Sequence, residues 1–240
     1  MSAAPEQLRR AILRALRKVS DPERAPLQEA YMKSKMPFLG VVAPDLRKAA
    51  KRVFDDHPLV EQGVWLEAIT AIWRGARYRE ERHAAIQLAG HGKYRRWLTP
   101  NAVPVLEEMV VTGAWWDFVD ALATNHFGTL LANHPKTTKP LLKCWATDDD
   151  MWRRRTAILA QLKFKTATDE ALLFYAIEAS TPSREFFLRK AIGWALREYS
   201  KTEPQVIIDY ITENADTLSG LSKREGLKVL LKQGAVSGIP

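Results

Sequence analysis

Apolar residues recur at three- and four-residue spacing along most of the chain, and this pattern predicts an almost wholly helical protein. The spacing is clearest in residues 79–88 and 150–162. A strand-like apolar run at residues 206–208 also fits one helical face once Tyr210 and Ile211 are included. The sequence contains no Asn-Gly or Asp-Gly pair that would turn a β-hairpin. The chain is therefore predicted to be all-α.

Prolines beside hydroxyl residues mark three further helix starts, at residues 99–100, 181–183 and 202–204. A hydroxyl oxygen can accept a hydrogen bond from the free N–H groups of a first helical turn. Proline is favoured in that turn because it has no N–H to satisfy. We therefore expect a helix to begin at each of these prolines.

A weak internal repeat of about 35 residues runs through the chain. Residues 155–158 resemble residues 189–192, and residues 224–227 continue the series. Going backward, Asp120 lies 35 positions before Arg155, and residues 82–86 precede Asp120 with a small shift in register. Helix pairs of this length bury their apolar faces by stacking on their neighbours. The sequence thus predicts a curved α-solenoid of HEAT-like helical repeats, forming a single domain over residues 1–240.

Four residues hold equivalent places in successive repeats: Asp120, Arg155, Arg189 and Arg224. If the repeats stack, these residues lie in a row on related helices. The basic members could then follow a phosphate backbone. Alternatively, an arginine at this place is a structural residue that pairs with an acid on the neighbouring repeat. The sequence alone leaves both interpretations open.

The chain is basic, with 36 Lys and Arg against 28 Asp and Glu and a formal net charge of +8. A basic surface suits a polyanionic partner such as nucleic acid, because bound phosphates release their counterions. Many basic proteins bind no nucleic acid, so charge alone does not decide the partner.

Few other function classes are supported by the composition. The single cysteine, Cys144, cannot form an internal disulfide, and its apolar surroundings predict a core position. No apolar run is long enough for a membrane span, and the charged N-terminal segment does not resemble a signal peptide. The five histidines form no metal-binding motif. We expect a cytoplasmic protein without a metal or cofactor.

One segment has the residues for chemistry on a cation. In residues 113–120, Trp116 and Asp120 are four positions apart and share a helical face. An indole ring beside a carboxylate can hold a flat cationic group by cation–π and Coulomb attraction. Trp194 is a second candidate wall of this site. Tryptophans mostly serve as core residues, however, and an acid one turn from a tryptophan is common.

The chain also resembles the AlkD-type DNA alkylpurine glycosylases, which have a HEAT-like repeat fold. Many ordered matches over most of the sequence support the resemblance. They are residues 31–33, 37–41, Pro44, Arg47, residues 115–120, Arg155, and residues 157–159, 161–163, 185–187, 190–194, 196–199 and 221–225. In one departure, Val42 stands where a family member has a glutamine that reaches toward DNA.

The resemblance implies a role for each matching residue. The catalytic aspartate corresponds to Asp120 and not to Asp117, the two active-site tryptophans to Trp116 and Trp194, and the backbone-binding arginine near the lesion to Arg155. Together with these, the predicted DNA-binding residues are Tyr31, Lys163, Arg189, Arg197 and Arg224.

The predicted activity is a DNA glycosylase reaction, in which the N-glycosidic bond of cationic N3- or N7-alkylated purines in duplex DNA is hydrolysed during base excision repair. Asp120 would stabilise the positive charge that develops on the deoxyribose. The partner is double-stranded DNA with alkylated bases, and we expect a monomer. The alternatives are a non-catalytic helical-repeat scaffold for DNA or protein, and a protein that binds lesions without cutting.

Overall fold

The computed structural model describes residues 3–240, with side chains from Pro5 onward, and it is 71% helical with no strand in that range. The predicted all-α helical-repeat fold is confirmed. The fourteen α-helices of the described chain are α1 (Ala3–Arg17), α2 (Ala25–Met32), α3 (Ala43–Asp56), α4 (Gln62–Gly75), α5 (Arg79–Ala89), α6 (Val103–Gly113), α7 (Trp116–Ala121), α8 (Gly128–Asn133), α9 (Pro135–Ala146), α10 (Met151–Leu159), α11 (Glu170–Glu178), α12 (Phe186–Tyr199), α13 (Pro204–Glu213) and α14 (Gly220–Lys232). Short 3₁₀ turns span Gly92–Trp97, Pro100–Ala102 and Lys165–Ala167, and a π-helical segment spans Leu122–Phe127.

The chain forms two compact units, of which the first ends at Val105 and the second spans Leu106–Pro240. The boundary falls inside α6. That residues 1–240 make a single repeat domain stays a prediction.

In the first unit, α1 packs against α3, α4 and α5. Leu8, Ile12 and Leu16 recur on the inner face of α1 and are almost completely buried. Trp65 and Ile72 of α4 are also fully buried. This amphipathic spacing gives the unit its core, because each helix has an apolar face that only a neighbour can cover.

A side chain of α5 binds the backbone of the connection between α2 and α3. Glu80 is 2% exposed, and its carboxylate accepts the backbone N–H of Leu39 at 2.9 Å and that of Val41 at 3.1 Å. Between them Gly40 has φ +80°, and a Cβ there would lie 1.9 Å from the carbonyl oxygen of Asp21. Only glycine fits this place, so the Phe38–Val41 segment is fixed on both sides.

The second unit has two rows of helices. In one row α7 packs against α10, α10 against α12, and α12 against α14. In the other row α9 contacts α11, and Phe174 of α11 stacks on Tyr210 of α13 at a ring-centroid distance of 4.2 Å. Helices of the two rows alternate along the chain, as stacked helix pairs require.

The predicted row of repeat residues is present in this unit. Asp120, Arg155, Arg189 and Arg224 lie on α7, α10, α12 and α14, which are successive neighbours. The 34- to 35-residue repeat therefore corresponds to one helix pair.

Two local predictions are wrong. The turn around Pro182 precedes its helix, which begins only at Phe186 after Glu185 as N-cap. Cys144 is exposed on α9 and does not lie in the core, because α9 turns only one face to its neighbours, with Leu142 and Trp145 buried. By contrast, helix α13 begins at Pro204 as predicted. Across residues 3–240, no helix is both long and apolar enough to cross a membrane.

Candidate active site

The predicted acid lies on a helix with an irregular continuation. Trp116 is the first residue of α7, and Asp120 follows one turn later on the same face, both half-buried. The α-helix passes directly into the π-helical segment Leu122–Phe127, and then into α8. There the backbone of Gly128 approaches α10 so closely that a Cβ would lie 2.7 Å from the carbonyl oxygen of Ala160. π-Helical turns are frequent at functional sites.

Asp120 forms a two-pronged ion pair with Arg155 of α10. The Nε atom of Arg155 donates to Oδ1 at 2.7 Å, and its Nη2 donates to Oδ2 at 2.9 Å. The third nitrogen, Nη1, donates to the backbone carbonyl of Phe187 on α12. Through these bonds the guanidinium joins α7, α10 and α12, three successive helices of the row. Arg155 is 4% exposed, so it faces little solvent.

Two opposing effects set the charge of this acid. Burial raises the pKa of Asp120 above its ordinary value, and the Asp117 carboxylate adds a small repulsion in the same direction. The hydrogen bonds and charge of Arg155 act against this rise. The side chain of Asp120 keeps 15% of its surface exposed, so this acid is not fully enclosed by the protein.

Aromatic rings pack around the arginine. Trp115, Trp152 and Phe187 are mutually in contact, with ring-centroid distances of 5.2–6.4 Å. The Arg155 guanidinium carbon lies 5.9 Å from the centre of the Phe187 ring. Large side chains of this kind fix the guanidinium in place, because a repacked rotamer would open a void in the core. Trp115 therefore serves this packing, whereas Trp116 begins the face that carries Asp120.

Trp194 lies on α12, seven residues and thus two helical turns after Phe187, and is half-buried. Its neighbour Gly193 marks the crossing of α12 and α14, where a Cβ would lie 2.5 Å from Cβ of Glu225. Trp194 is thus carried by the same helix whose backbone accepts the hydrogen bond from Arg155.

The predicted DNA-binding residues have different surroundings. Tyr31 belongs to the first unit and is 78% exposed on α2. In the second unit Lys163 is exposed and donates to the side-chain amide of Asn125, while Nε of the half-buried Arg189 donates to the carbonyl of Ser183 at 3.1 Å. Arg224 is exposed, with no ion pair found for it within residues 3–240. Their roles toward DNA stay predictions.

Arg197 belongs to an ion-pair cluster that links α12 to α14. Glu225 accepts from Arg197 Nη1 at 2.6 Å and pairs with Lys190 Nζ at 2.9 Å. These contacts, above all the hydrogen bond from Lys190, lower the pKa of Glu225. Part of the charge of Arg197 is thus already compensated within the protein.

Two site residues were missed by the sequence prediction. Phe187 contributes a backbone carbonyl, which no side-chain pattern can reveal, although its position 32 residues after Arg155 is close to the repeat length. Glu225 falls next to the repeat residue Arg224, which was a usable signal. Among the described residues, no three His, Cys, Asp or Glu side chains come together as a metal site.

The fold and these contacts define a helical-repeat protein with a half-buried carboxylate held by a buried arginine. A sequence model of DNA alkylation repair enzymes matches residues 12–230. The chain belongs to this family, which supports a role in the repair of alkylated DNA and implies a DNA substrate. It is also similar to the solved structure of a predicted DNA alkylation repair enzyme from Enterococcus faecalis, with 33% identity, a TM-score of 0.80, and coverage of 89% of this chain and 97% of that one. None of the curated proteins compared with the chain matches it.

Proposed function

We propose that the protein is a DNA glycosylase that hydrolyses the N-glycosidic bond of cationic N3- or N7-alkylated purines in duplex DNA. The observation that carries the proposal is the Asp120 carboxylate, which is fixed by two hydrogen bonds from a buried arginine and belongs to a side chain that is still 15% exposed. Desolvating a carboxylate is costly unless its charge is used or compensated. A fixed anion suits a reaction whose transition state develops positive charge.

Asp120 is the proposed catalytic residue. An alkylated purine is already cationic and leaves without a strong general acid, so the barrier lies in the oxocarbenium-like charge on the deoxyribose. A carboxylate near C1′ stabilises that charge, and it also orients the attacking water or accepts a proton from it.

Arg155 is a positioning residue in this proposal. Three of its five N–H donors are already bonded to protein oxygens, and its side chain is only 5% exposed, so little of the guanidinium is left for a DNA phosphate. It aligns both carboxylate oxygens and opposes protonation of Asp120. The phosphate-binding role implied by the family resemblance is the competing assignment, and the two differ in their pH dependence.

Trp116 and Trp194 complete the proposed site. Trp116 shares the face of Asp120, and Trp194 is carried by the α12 helix that Arg155 ties to α10. Their rings would hold the damaged nucleotide through contacts with the sugar and with its developing charge. We place this enzyme in the cytoplasm as a monomer acting on double-stranded DNA.

The test measures release of 7-methylguanine and 3-methyladenine from methylated duplex DNA. Asp120→Asn keeps the shape but removes the charge, and we expect release to fall on the order of 10²–10³-fold. Asp149→Asn removes an equal charge from an exposed residue of the same unit and should leave the rate unchanged. Full release by Asp120→Asn would contradict the proposal.

The same assay separates the alternatives. A scaffold or a lesion-binding protein would bind methylated duplex DNA but produce no abasic sites, even with the wild-type chain. A scaffold also has no need for a half-buried acid on a DNA-binding face, since such an acid repels the DNA phosphates. Asp120 therefore favours the enzyme over the scaffold, and the formation of abasic sites distinguishes the enzyme from a lesion-binding protein.

A further inference from the structure

A cavity of about 630 Å³ lies in the second unit, along the seam between α10 and α12. Its apolar floor consists of Ile158, Leu162, Leu173 and Ala195. The volume lies within the range of pockets that hold small organic ligands, and the mixture of an apolar floor with a few polar groups is typical of such sites. No step of the proposed reaction uses this cavity.

The cavity continues the two helix faces that carry the site. On α10, Ile158 follows Arg155 by three residues, which places it on the next turn of the same face. On α12, the cavity residue Glu198 follows Trp194 by four residues, and Ala195 is the immediate neighbour of Trp194. A ligand in the cavity would therefore lie about one helical turn beyond Arg155 and Trp194 of the proposed site.

The mouth of the cavity is positively charged. Lys163, Lys165 and Lys201 all line it. Lys201 is paired with Glu198 at 2.6 Å, so these two charges largely cancel. Lys163 donates to the neutral amide of Asn125, and Lys165 is exposed with no anionic partner found in residues 3–240. Two ammonium groups thus keep their charge beside an apolar floor.

The wall that carries these lysines is held in a fixed conformation. Gln161 is 5% exposed, and its amide forms two hydrogen bonds with the backbone of Asp169, donating to the carbonyl at 3.0 Å and accepting the N–H at 2.7 Å. This closes the 161–169 loop. Within it Lys165 has φ 53°, a left-handed conformation that non-glycine residues rarely adopt. Preorganised groups bind a ligand at a lower entropic cost.

We propose that this cavity binds a nucleoside phosphate, with the phosphate at Lys163 and Lys165 and the nucleoside against the apolar floor. A phosphate uses both uncompensated ammonium groups, and a flat base with its sugar lies against the accessible part of the apolar floor, mainly Leu162. The ligand is either a nucleotide of the DNA strand next to the lesion or a free mononucleotide. The case in which the ligand is a nucleotide of the DNA strand rests on the proposed function, whereas binding of a nucleoside phosphate in the cavity does not.

The test separates charge from shape. Lys165→Glu reverses one ammonium group on an exposed side chain, and Thr202→Trp fills the cavity while leaving its lysines in place. Lys136→Glu on α9 is the matched control, the same charge reversal at an exposed lysine that does not line the cavity. Thermal unfolding shows whether each variant is folded. If Thr202→Trp does not fold, the result for Lys165→Glu decides the test.

Binding of deoxyadenosine monophosphate and of deoxyadenosine is measured by NMR titration, and binding of a duplex with a stable abasic analogue by fluorescence anisotropy. We expect the monophosphate to bind about tenfold more tightly than the nucleoside, as one charge-assisted contact provides. Lys165→Glu and Thr202→Trp should each weaken monophosphate binding by about tenfold or more, with binding by Lys136→Glu unchanged.

Competition identifies the source of the ligand. Displacement of the monophosphate by the duplex assigns the cavity to a strand nucleotide, and simultaneous binding of both assigns it to a free nucleotide. The inference is overturned if the monophosphate binds no better than the nucleoside, or if Thr202→Trp binds it as well as the wild type does. Base release by the wild type is measured separately, so a cavity that binds nucleotide without base release would contradict only the proposed function.

Discussion

At the scale of single residues, the central feature is an acid whose environment both opposes and supports its charge. Burial disfavours the ionised form of Asp120, while Arg155 favours it through two hydrogen bonds. The balance leaves the pKa of Asp120 above the ordinary aspartate value. Catalysis by a carboxylate anion then becomes sensitive to pH in a range where an exposed aspartate would be fully ionised.

The pH dependence of base release tests this balance. Since Asp120 must be ionised to act, kcat/KM should fall as pH drops through its raised pKa, giving an acid limb at a higher pH than an ordinary aspartate would give. Arg155→Met removes the cation that opposes protonation, so the limb should move to higher pH and the maximal rate should fall. An unchanged limb with a higher KM and a weaker salt dependence would instead support phosphate binding by Arg155.

The ion pair between Asp120 and Arg155 could be predicted in part from the sequence. The four-residue spacing of Trp116 and Asp120 gives their common face, and the repeat register of Arg155 allowed it to be either a phosphate ligand or a partner of an acid on a neighbouring repeat. In the structure Arg155 is the partner of an acid on a neighbouring repeat, Asp120. The carbonyl of Phe187 could not be predicted, because a backbone acceptor depends on where α12 crosses α10.

At the scale of elements, the crossing of α12 and α14 is set by backbone proximity. Gly193 leaves no room for a side chain, since a Cβ would lie 3.0 Å from the carbonyl oxygen of Ser222 and closer still to Glu225. The hydroxyl of Ser222 donates back to the carbonyl of Arg189 at 2.9 Å. Close approach of two helices at a small residue brings their side chains into tight register.

A methyl group at this crossing should push the helices apart. We expect Gly193→Ala to lower the free energy of unfolding by about 1–3 kcal/mol through overpacking, measured by denaturant or thermal unfolding. Gly63→Ala is the control, because Gly63 also lies in a helix and a Cβ there meets nothing within 4 Å, so alanine should leave the free energy of unfolding unchanged or raise it by up to about 1 kcal/mol. Equal stability of the two variants would show that the crossing tolerates a wider separation.

Helix periodicity predicted most elements, but not their irregularities. The π-helical segment after Asp120 has no sequence signature, since it depends on how this segment packs against α10. The helix expected at Pro182 begins later because that segment forms turns, in which Ser183 accepts from the N–H of Glu185 at 3.2 Å. The buried Glu80 was missed because its partners are backbone N–H groups 39 and 41 positions away.

At the scale of the whole molecule, the net charge of +8 attracts DNA of any sequence. Binding to duplex DNA should weaken as salt increases, because each phosphate that is neutralised releases counterions. Which arginines contribute depends on their partners inside the protein. Arg224 is exposed, whereas Arg197 is bonded to Glu225 at 2.6 Å.

These two arginines give a matched comparison. Arg224→Ala should reduce the slope of log K against log salt by about 1 on undamaged duplex DNA, measured by fluorescence anisotropy. Arg197→Ala should change the slope less, because Glu225 already compensates much of its charge. The reverse order of the two slopes would mean that the ion pair with Glu225 opens on DNA and that Arg197 is the phosphate ligand.

The bond from Arg155 to the carbonyl of Phe187 has a consequence for how damage is recognised. One guanidinium fastens the acid to the helix that bears Trp194, so neither can shift without the other. We expect a site held in this way not to close over its target, so that the distortion on binding comes from the duplex. We therefore expect turnover to be fastest where the neighbouring base steps stack poorly, with selectivity arising from the mechanics of the nucleic acid.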